Sequence, residues 1–244
     1  MSRVRLISYT VANLGLPELN GLHTPQDIIA YCARVSNPSN QSSVDTADKL
    51  LAYLVKHKHW SPFEQVSATL EINTTRDIGR QILRHRSFVF QEFSQRYAKA
   101  SDLGFEFREA RMQDPKNRQN SIEIKYEDGD LAAELERNWR WSQSVLLENA
   151  KKAYQWALDN GIAKEQARCV LPEGMTMSRL YMTGNFRSWY HYIELRSSPG
   201  TQKEHREIVL DCAKALQGIF PLINNAVYKS EAQESLETKA ENSK

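Results

Sequence analysis

From Val66 to Asn73 the chain alternates without a break: Val66, Ala68, Leu70 and Ile72 are apolar, and Ser67, Thr69, Glu71 and Asn73 are polar. A period of two is that of a β-strand with one face in a core and the other left polar. At Thr75 the period changes. Ile78 and Ile82 stand four apart with Leu83 beside them, the spacing of a helix with one apolar side. A strand that passes directly into a helix argues for a sheet with helices packed on it, and this helix carries Gln81 and Arg84 toward its end.

Other segments extend that pattern. Val4, Leu6 and Ser8, with Ile7 and Val11 nearby, predict a first strand, closed off by Gly15 and Pro17. Thr24, Pro25 and Asp27 form a helix-start signal, followed by an apolar face of Ile28, Ile29, Cys32 and Val35. A second helix is predicted over Thr46 to His57, burying Leu50, Leu51, Leu54 and Val55, and His59 to Glu64 reads as a turn. Phe105 and Phe107 would pair with Ile122, Ile124 and Tyr126 as a hairpin, looped at Asp114, Pro115 and Asn117. Helices follow over Asp130 to Asn160, ended by Gly161, then Ala163 to Val170, Asn185 to Leu195 and Gln202 to Phe220.

The length of 244 residues suits one substantial core, with 41% apolar residues to fill it. Residues 1–228 read as a single unit and residues 229–244, rich in charge and nearly free of large apolar side chains, as a disordered tail. With 32 basic and 30 acidic side chains the net charge is only +2, which disfavours general nucleic-acid coating. Cys32, Cys169 and Cys212 are scattered and odd in number, as in a reducing compartment. No signal peptide and no membrane span is apparent, so a soluble, cytoplasmic protein is expected.

The chemistry concentrates between Arg84 and Tyr97, RHRSFVFQEFSQRY, where Arg84, His85, Arg86, Ser94 and Arg96 stand beside several aromatic rings. Crowded cations repel, and a fold that holds them together usually supplies an anion. The arginine fork matches phosphate oxygens, and Ser94 adds a neutral donor. By residue type alone three readings stand: a nucleotide-phosphate site, a structural ion-pair network, or a nucleic-acid patch. Glu92 is either a salt-bridge partner for Arg84 or Arg96 or an acceptor for ligand hydroxyl groups. Phe88, Phe90 and Phe93 read as core.

Elsewhere the signals are weaker. His57, His59 and Glu64 lack a third convergent ligand, so no metal site is expected. Arg168 and His191 lie on predicted helices, where an ion pair and a solvated or buried ring are the bland alternatives. Arg196 falls at a helix end, which favours a cation in any case. No G-x-G-x-x-G opens a βαβ unit and no P-loop occurs, so a nucleotide here must be held by side chains.

The order Arg84-His85-Arg86, seven residues, then Ser94 with Arg96-Tyr97 resembles the signature of the flavin-dependent thymidylate synthases. Further blocks resemble that family in the same order: Ala33 to Ser36, His59 to Glu64, Glu165 to Arg168 with Leu171-Pro172, and Asn185 to Arg196. The resemblance covers residues 3 to 222. It implies an α/β fold with an antiparallel sheet flanked by helices, one catalytic domain over residues 1–228, and a homotetramer with active sites at subunit interfaces. The reaction implied is reductive methylation of dUMP to dTMP, with methylenetetrahydrofolate as one-carbon donor and NADPH as reductant through bound FAD.

Residue by residue, the resemblance implies FAD contacts at Ser36, His59, Arg84, His85, Arg86, Asn185 and His191. It implies dUMP contacts at Gln81, Glu92, Ser94, Gln95, Arg96, Arg168 and Arg196. Arg196 also falls on the position that polarises the uracil ring, a role suited to a fixed guanidinium beside a carbonyl. Ser94 lacks a demonstrable base and is assigned to positioning rather than attack. Val89 and Gln91 stand where many relatives carry Ser and Asn, and His191 where others carry Asn, which bears on flavin hydrogen bonding.

Overall fold

The computed structural model describes residues 3–124 and 129–229. Its strands are β1 (Val4–Tyr9), β2 (Ser67–Thr75), β3 (Val89–Glu92), β4 (Arg111–Gln113), β5 (Ser121–Glu123) and β6 (Met177–Asn185). Its α-helices are α1 (Pro25–Ala33), α2 (Ala47–Lys56), α3 (Arg76–Ile82), α4 (Gly129–Asp159), α5 (Lys164–Ala167), α6 (Phe186–Arg196) and α7 (Lys203–Gln217).

The main sheet has the order β1-β2-β6-β3, and every pairing in it is antiparallel. At its centre β2 and β6 pair along their whole length, from Ser67 opposite Asn185 to Thr75 opposite Met177. One face is apolar as the alternation predicts: Ala68, Leu70 and Ile72 join Leu180 and Met182 in the main core, under Ile78 and Ile82 of α3 and Trp189 and Ile193 of α6. Helix α7 adds Ile208, Val209, Cys212 and Leu216 to that core. The other face is polar but not simply solvated. Thr69 and Thr183 share a hydrogen bond of 2.8 Å across the pair. Glu71, only 2% exposed, accepts from Arg5 Nε at 3.0 Å, Arg5 Nη2 at 2.9 Å and the Tyr181 hydroxyl at 3.1 Å. The Arg5 hydrogen bond is the main cause that holds the Glu71 carboxyl below its ordinary pKa.

The helix signals behave as their chemistry requires. Thr24 and Asp27 form a reciprocal capping box on α1, with Thr24 N donating to Asp27 Oδ2 at 2.8 Å. Gly161, at φ 75°, supplies the left-handed residue just beyond α4. Departures are local. Val35, predicted on the buried face of α1, lies past the helix end and is 68% exposed. The hairpin forms at the predicted loop, but Arg111–Gln113 pairs with Ser121–Glu123, while Phe105 bridges to Thr176 instead. Phe105 packs against the second apolar cluster of Ala100, Tyr154, Ala157, Ala167 and Leu171, a stronger pull than a short exposed ladder. Tyr126 lies outside the described residues, as does the tail beyond Lys229. Among the described residues no helix is long and apolar enough to cross a membrane.

Strands β3 and β6 are absent from the sequence reading. In β6 Leu180 and Met182 alternate with Arg179 and Thr183, but Ser178 and Gly184 on the buried side and Tyr181 on the other blur the period in the sequence. Gly184 has a packing reason. A Cβ there would stand 2.4 Å from Phe88 Cδ1, so the strand passes directly beneath that ring. Gly184→Ala is expected to cost about 1–3 kcal/mol by overpacking, read from urea denaturation. The double variant with Phe88→Leu should recover part of the loss, and an unaltered midpoint for Gly184→Ala alone would contradict the close approach.

Candidate functional site

The central pair of strands delivers the chemistry. β2 runs into α3 and β6 runs into α6, and the ends of these two helices meet. At the end of α3 the backbone turns tightly: His85 N donates to Ile82 O at 3.0 Å and Phe88 N to His85 O at 3.2 Å. Phe88 is the plug that holds this turn down, its ring 4.7 Å from that of Trp189 and 5.7 Å from that of Tyr192. Helix α6 starts on Asn185, whose Oδ1 accepts from Ser188 N at 2.9 Å, and ends on Arg196.

There Arg196 Nε donates to His85 Nε2 at 3.1 Å. A guanidinium is always a donor, so His85 Nε2 is bare and the ring proton sits on Nδ1. Burial first, and the Arg196 charge second, push the His85 pKa down to about 4, which keeps the ring neutral near pH 7. Arg84 and Arg86 flank this pair on the exposed surface. Among the described residues neither has an ion-pair partner.

Behind Arg196 lies a polar chain that runs from the buried Tyr192 and His205 out to the exposed Gln202. The Tyr192 hydroxyl is 3.0 Å from His205 Nε2, and His205 Nδ1 is 3.2 Å from Gln81 Oε1. Gln81 Nε2 in turn donates to Gln202 Oε1 at 2.7 Å.

The second half of the signature is organised separately. Glu92 accepts from Ser178 Oγ at 2.8 Å and faces Arg76 at 3.6 Å, so its partner is Arg76 rather than Arg84 or Arg96. Arg96 pairs with Glu165 at 3.1 Å, and Arg168 Nε donates to the Glu165 carbonyl oxygen at 3.3 Å, which brings Arg96 and Arg168 to one residue. Ser94 Oγ accepts from Arg96 N at 3.4 Å and has no acid or histidine within hydrogen-bond reach among the described residues. Gln95 is 3% exposed, and its Nε2 is a buried donor without a partner among the described residues. Such an atom costs on the order of 1–3 kcal/mol unless something outside the chain accepts from it.

The turn at His59 reaches α6 through its neighbour. Trp60 packs 4.3 Å from the ring of His191, and Glu64 pairs with Arg187 of α6. His59 itself is exposed, near Tyr53 and His57. His191 faces Glu194 at 3.5 Å. Ser36 stands in an exposed turn. That turn is pinned from inside by Arg34, 8% exposed, which donates to Thr46 Oγ1 at 2.7 Å and to Ser43 O. A cleft of about 750 Å³ opens beside Gln202, lined also by Arg108, Trp139 and Glu204, and none of the predicted site residues lines it.

The structure thus assembles three groups: His85 with Arg196 and Gln81, Arg96 with Arg168, and His191 with the His59 turn. Tyr192, His205, Gln202, Arg76, Ser178 and Glu165 are participants that sequence reasoning left unassigned. His205 opens the buried face of α7, ahead of Ile208, Val209 and Cys212, where a histidine carries no pattern of its own.

Residues 19–222 match the family described as "Thymidylate synthase complementing protein". Two curated relatives align along most of both chains. One is a "Probable flavin-dependent thymidylate synthase" of Paramecium bursaria Chlorella virus 1, 46% identical over 86% of this chain and 94% of that one. Another, a "Flavin-dependent thymidylate synthase" of Synechocystis sp., is 47% identical over 84% of this chain and 90% of its own. The chain belongs to the flavin-dependent thymidylate synthase family. Its fold is shared with a solved UMP/dUMP methylase, PolB from Streptomyces cacaoi bound with 5-Br UMP, at a TM-score of 0.72 and 26% identity, covering 91% of this chain and 92% of that one. The antiparallel α/β architecture is therefore that of the flavin-dependent thymidylate synthases and their methylase neighbours.

Proposed function

We propose that the protein converts dUMP to dTMP by flavin-dependent reductive methylation, and that Arg196 carries the activation of the pyrimidine. The observation behind this is the Arg196–His85 contact at the junction of α3 and α6, in a chain of the flavin-dependent thymidylate synthase family. An arginine held by a neutral acceptor keeps its full charge and its remaining donors. Set against a uracil carbonyl, it stabilises the negative charge that develops on the ring when the ring carbon attacks a one-carbon donor.

The residues present fit FAD. Arg84 and Arg86 are exposed cations without ion-pair partners among the described residues, as a diphosphate requires. His85, Ser36, His59, Asn185 and His191 are the further flavin contacts in this reading. His85 would then serve both Arg196, through Nε2, and the flavin. On the substrate side stand Gln81, Glu92, Ser94, Gln95, Arg96, Arg168 and Arg196. The Gln95 amide supplies a donor with no acceptor among the described residues, while Arg96 and Arg168 suit the nucleotide phosphate. Ser94, without a base, positions the nucleotide and does not attack it.

Bound FAD supplies the redox chemistry between NADPH and the methylene unit of methylenetetrahydrofolate. The protein orients the reactants and excludes competing geometry. The cleft beside Gln202 takes in none of the predicted site residues, and α4 exposes Trp141 and Trp156 at 68% and 63%. Both features support a homotetramer in which neighbouring subunits complete each site. A cytoplasmic location goes with these substrates and with three free cysteines.

Two measurements test this. Purified protein should be yellow and oxidise NADPH at a rate that dUMP changes; colourless protein that FAD does not reconstitute would contradict the reading. Arg84→Ala and Arg86→Ala should each weaken FAD retention by about tenfold or more, as expected on losing a charge-assisted contact. Unaltered FAD affinity in both would remove their cofactor role.

A further inference from the structure

The polar chain behind Arg196 has a direction, and its far end, at the surface, sets it. Glu204, paired with Arg108 at 3.4 Å, presents a carboxylate that only accepts. Gln202 must therefore give its Nε2 to Glu204, at 2.9 Å, which leaves Gln202 Oε1 facing Gln81. Gln81 must then donate through Nε2, so that its Oε1 faces His205 Nδ1 at 3.2 Å. An amide oxygen only accepts, so Nδ1 carries the proton, Nε2 is bare, and the Tyr192 hydroxyl donates to it at 3.0 Å. Each group has one allowed role, from Glu204 to Tyr192.

We propose that His205 is a positioning residue for the substrate, holding the Gln81 carboxamide in one orientation through Nδ1–H. This rests on the reading of Gln81 as a dUMP contact. A glutamine amide turned over exchanges donor for acceptor, and a half-exposed side chain on the last turn of α3 has no other fixed partner on its oxygen side. His205 is fully buried, with its ring against Tyr192 and within 6.4 Å of His85, so it does not reach solvent, and its Nδ1 side acts through Gln81. Burial, with Arg196 and His85 adding to it, pushes its pKa down to about 3, and a neutral ring is what the one-way chain requires.

Two substitutions separate this role from mere packing. Asparagine at 205 places an amide near the position of Nδ1, and glutamine places one near Nε2. His205→Asn thus keeps a donor for Gln81 and drops Tyr192, whereas His205→Gln does the reverse. Asparagine also leaves more empty volume, so a purely structural role would make it the worse variant. Calorimetric titration of dUMP into the flavin-loaded protein should give a Kd within about threefold of wild type for His205→Asn and about tenfold weaker for His205→Gln. Combined with Gln81→Ala, His205→Gln should add no further loss.

A wild type that binds while His205→Asn binds no better than His205→Gln, or losses that add in the double variant, would overturn the proposal alone. A wild type that binds no dUMP would overturn the functional reading with it. Should both variants fail to fold, the tautomer in the unaltered protein decides. Long-range ¹H–¹⁵N correlation should show His205 protonated on Nδ1, and protonation on Nε2 would overturn the proposal.

Discussion

Arg196→Ala is expected to lower dTMP formation by about a hundred- to a thousandfold, the usual consequence of removing one preorganised donor from developing negative charge. FAD should stay bound, because Arg84, His85 and Arg86 remain. Arg196→Lys should rescue little. The guanidinium gives Nε to His85 at 3.1 Å and keeps its Nη donors for the substrate, and a point-charge ammonium does not serve both at once. The partner residue gives a graded companion series. His85→Gln retains an acceptor near Nε2 and should lose less activity than His85→Leu, which leaves the Arg196 Nε without its acceptor. Rates for dTMP formation at saturating substrate, with flavin content measured on the same samples, check all of these. Full activity in Arg196→Ala would remove it from the mechanism.

A steep fall in folding stability below pH 6.5 is the second large effect. His85 and His205 have folded pKa values of about 4 and about 3, both below the ordinary 6.5 of an unfolded histidine. Between those limits the unfolded chain binds more protons than the folded one, so stability is fully present above pH 6.5 and is lost as the pH falls toward 4 for His85 and toward 3 for His205. Each fully coupled histidine contributes a slope of up to about 1.4 kcal/mol per pH unit, and the partly exposed His85 contributes less. The buried His205 dominates. Depressed carboxyls such as Glu71 and Glu173 act in the same direction but only at lower pH, near their own range. Urea midpoints between pH 7.5 and 5 should therefore fall in wild type, and the slope should flatten in His205→Gln. A flat wild-type profile over that interval would mean that neither ring is held neutral by the fold.

Much of this was legible before any coordinates. The alternation from Val66 to Ile72 named the central strand and its buried face, and Thr24 with Asp27 named a helix start, because both are local rules written in adjacent residues. Arg84, His85 and Arg86 announced themselves by crowding. What escaped depends on distance in sequence. The partner of Glu92 is Arg76 with Ser178, and no spacing reveals a contact between residues on two different strands and a helix. β3 spans only Val89–Glu92, too short for a period to register, and exists because β6 offers it an edge. His205 is silent for a further reason. Its role follows from the carboxylate of Glu204 and passes through two amides, a property of the folded chain that no single residue displays. Arg196 looked like an ordinary helix-end cation, and only its contact with His85 distinguishes it.

The chain joins a one-carbon unit to dUMP through a bound flavin. Anaerobic protein carrying FAD should lose its visible flavin absorbance on addition of NADPH. It should regain that absorbance, with one dTMP formed per flavin, only when both dUMP and methylenetetrahydrofolate are present. Recovery of the absorbance without dTMP, or no dTMP at all from protein that holds flavin and binds dUMP, would contradict it.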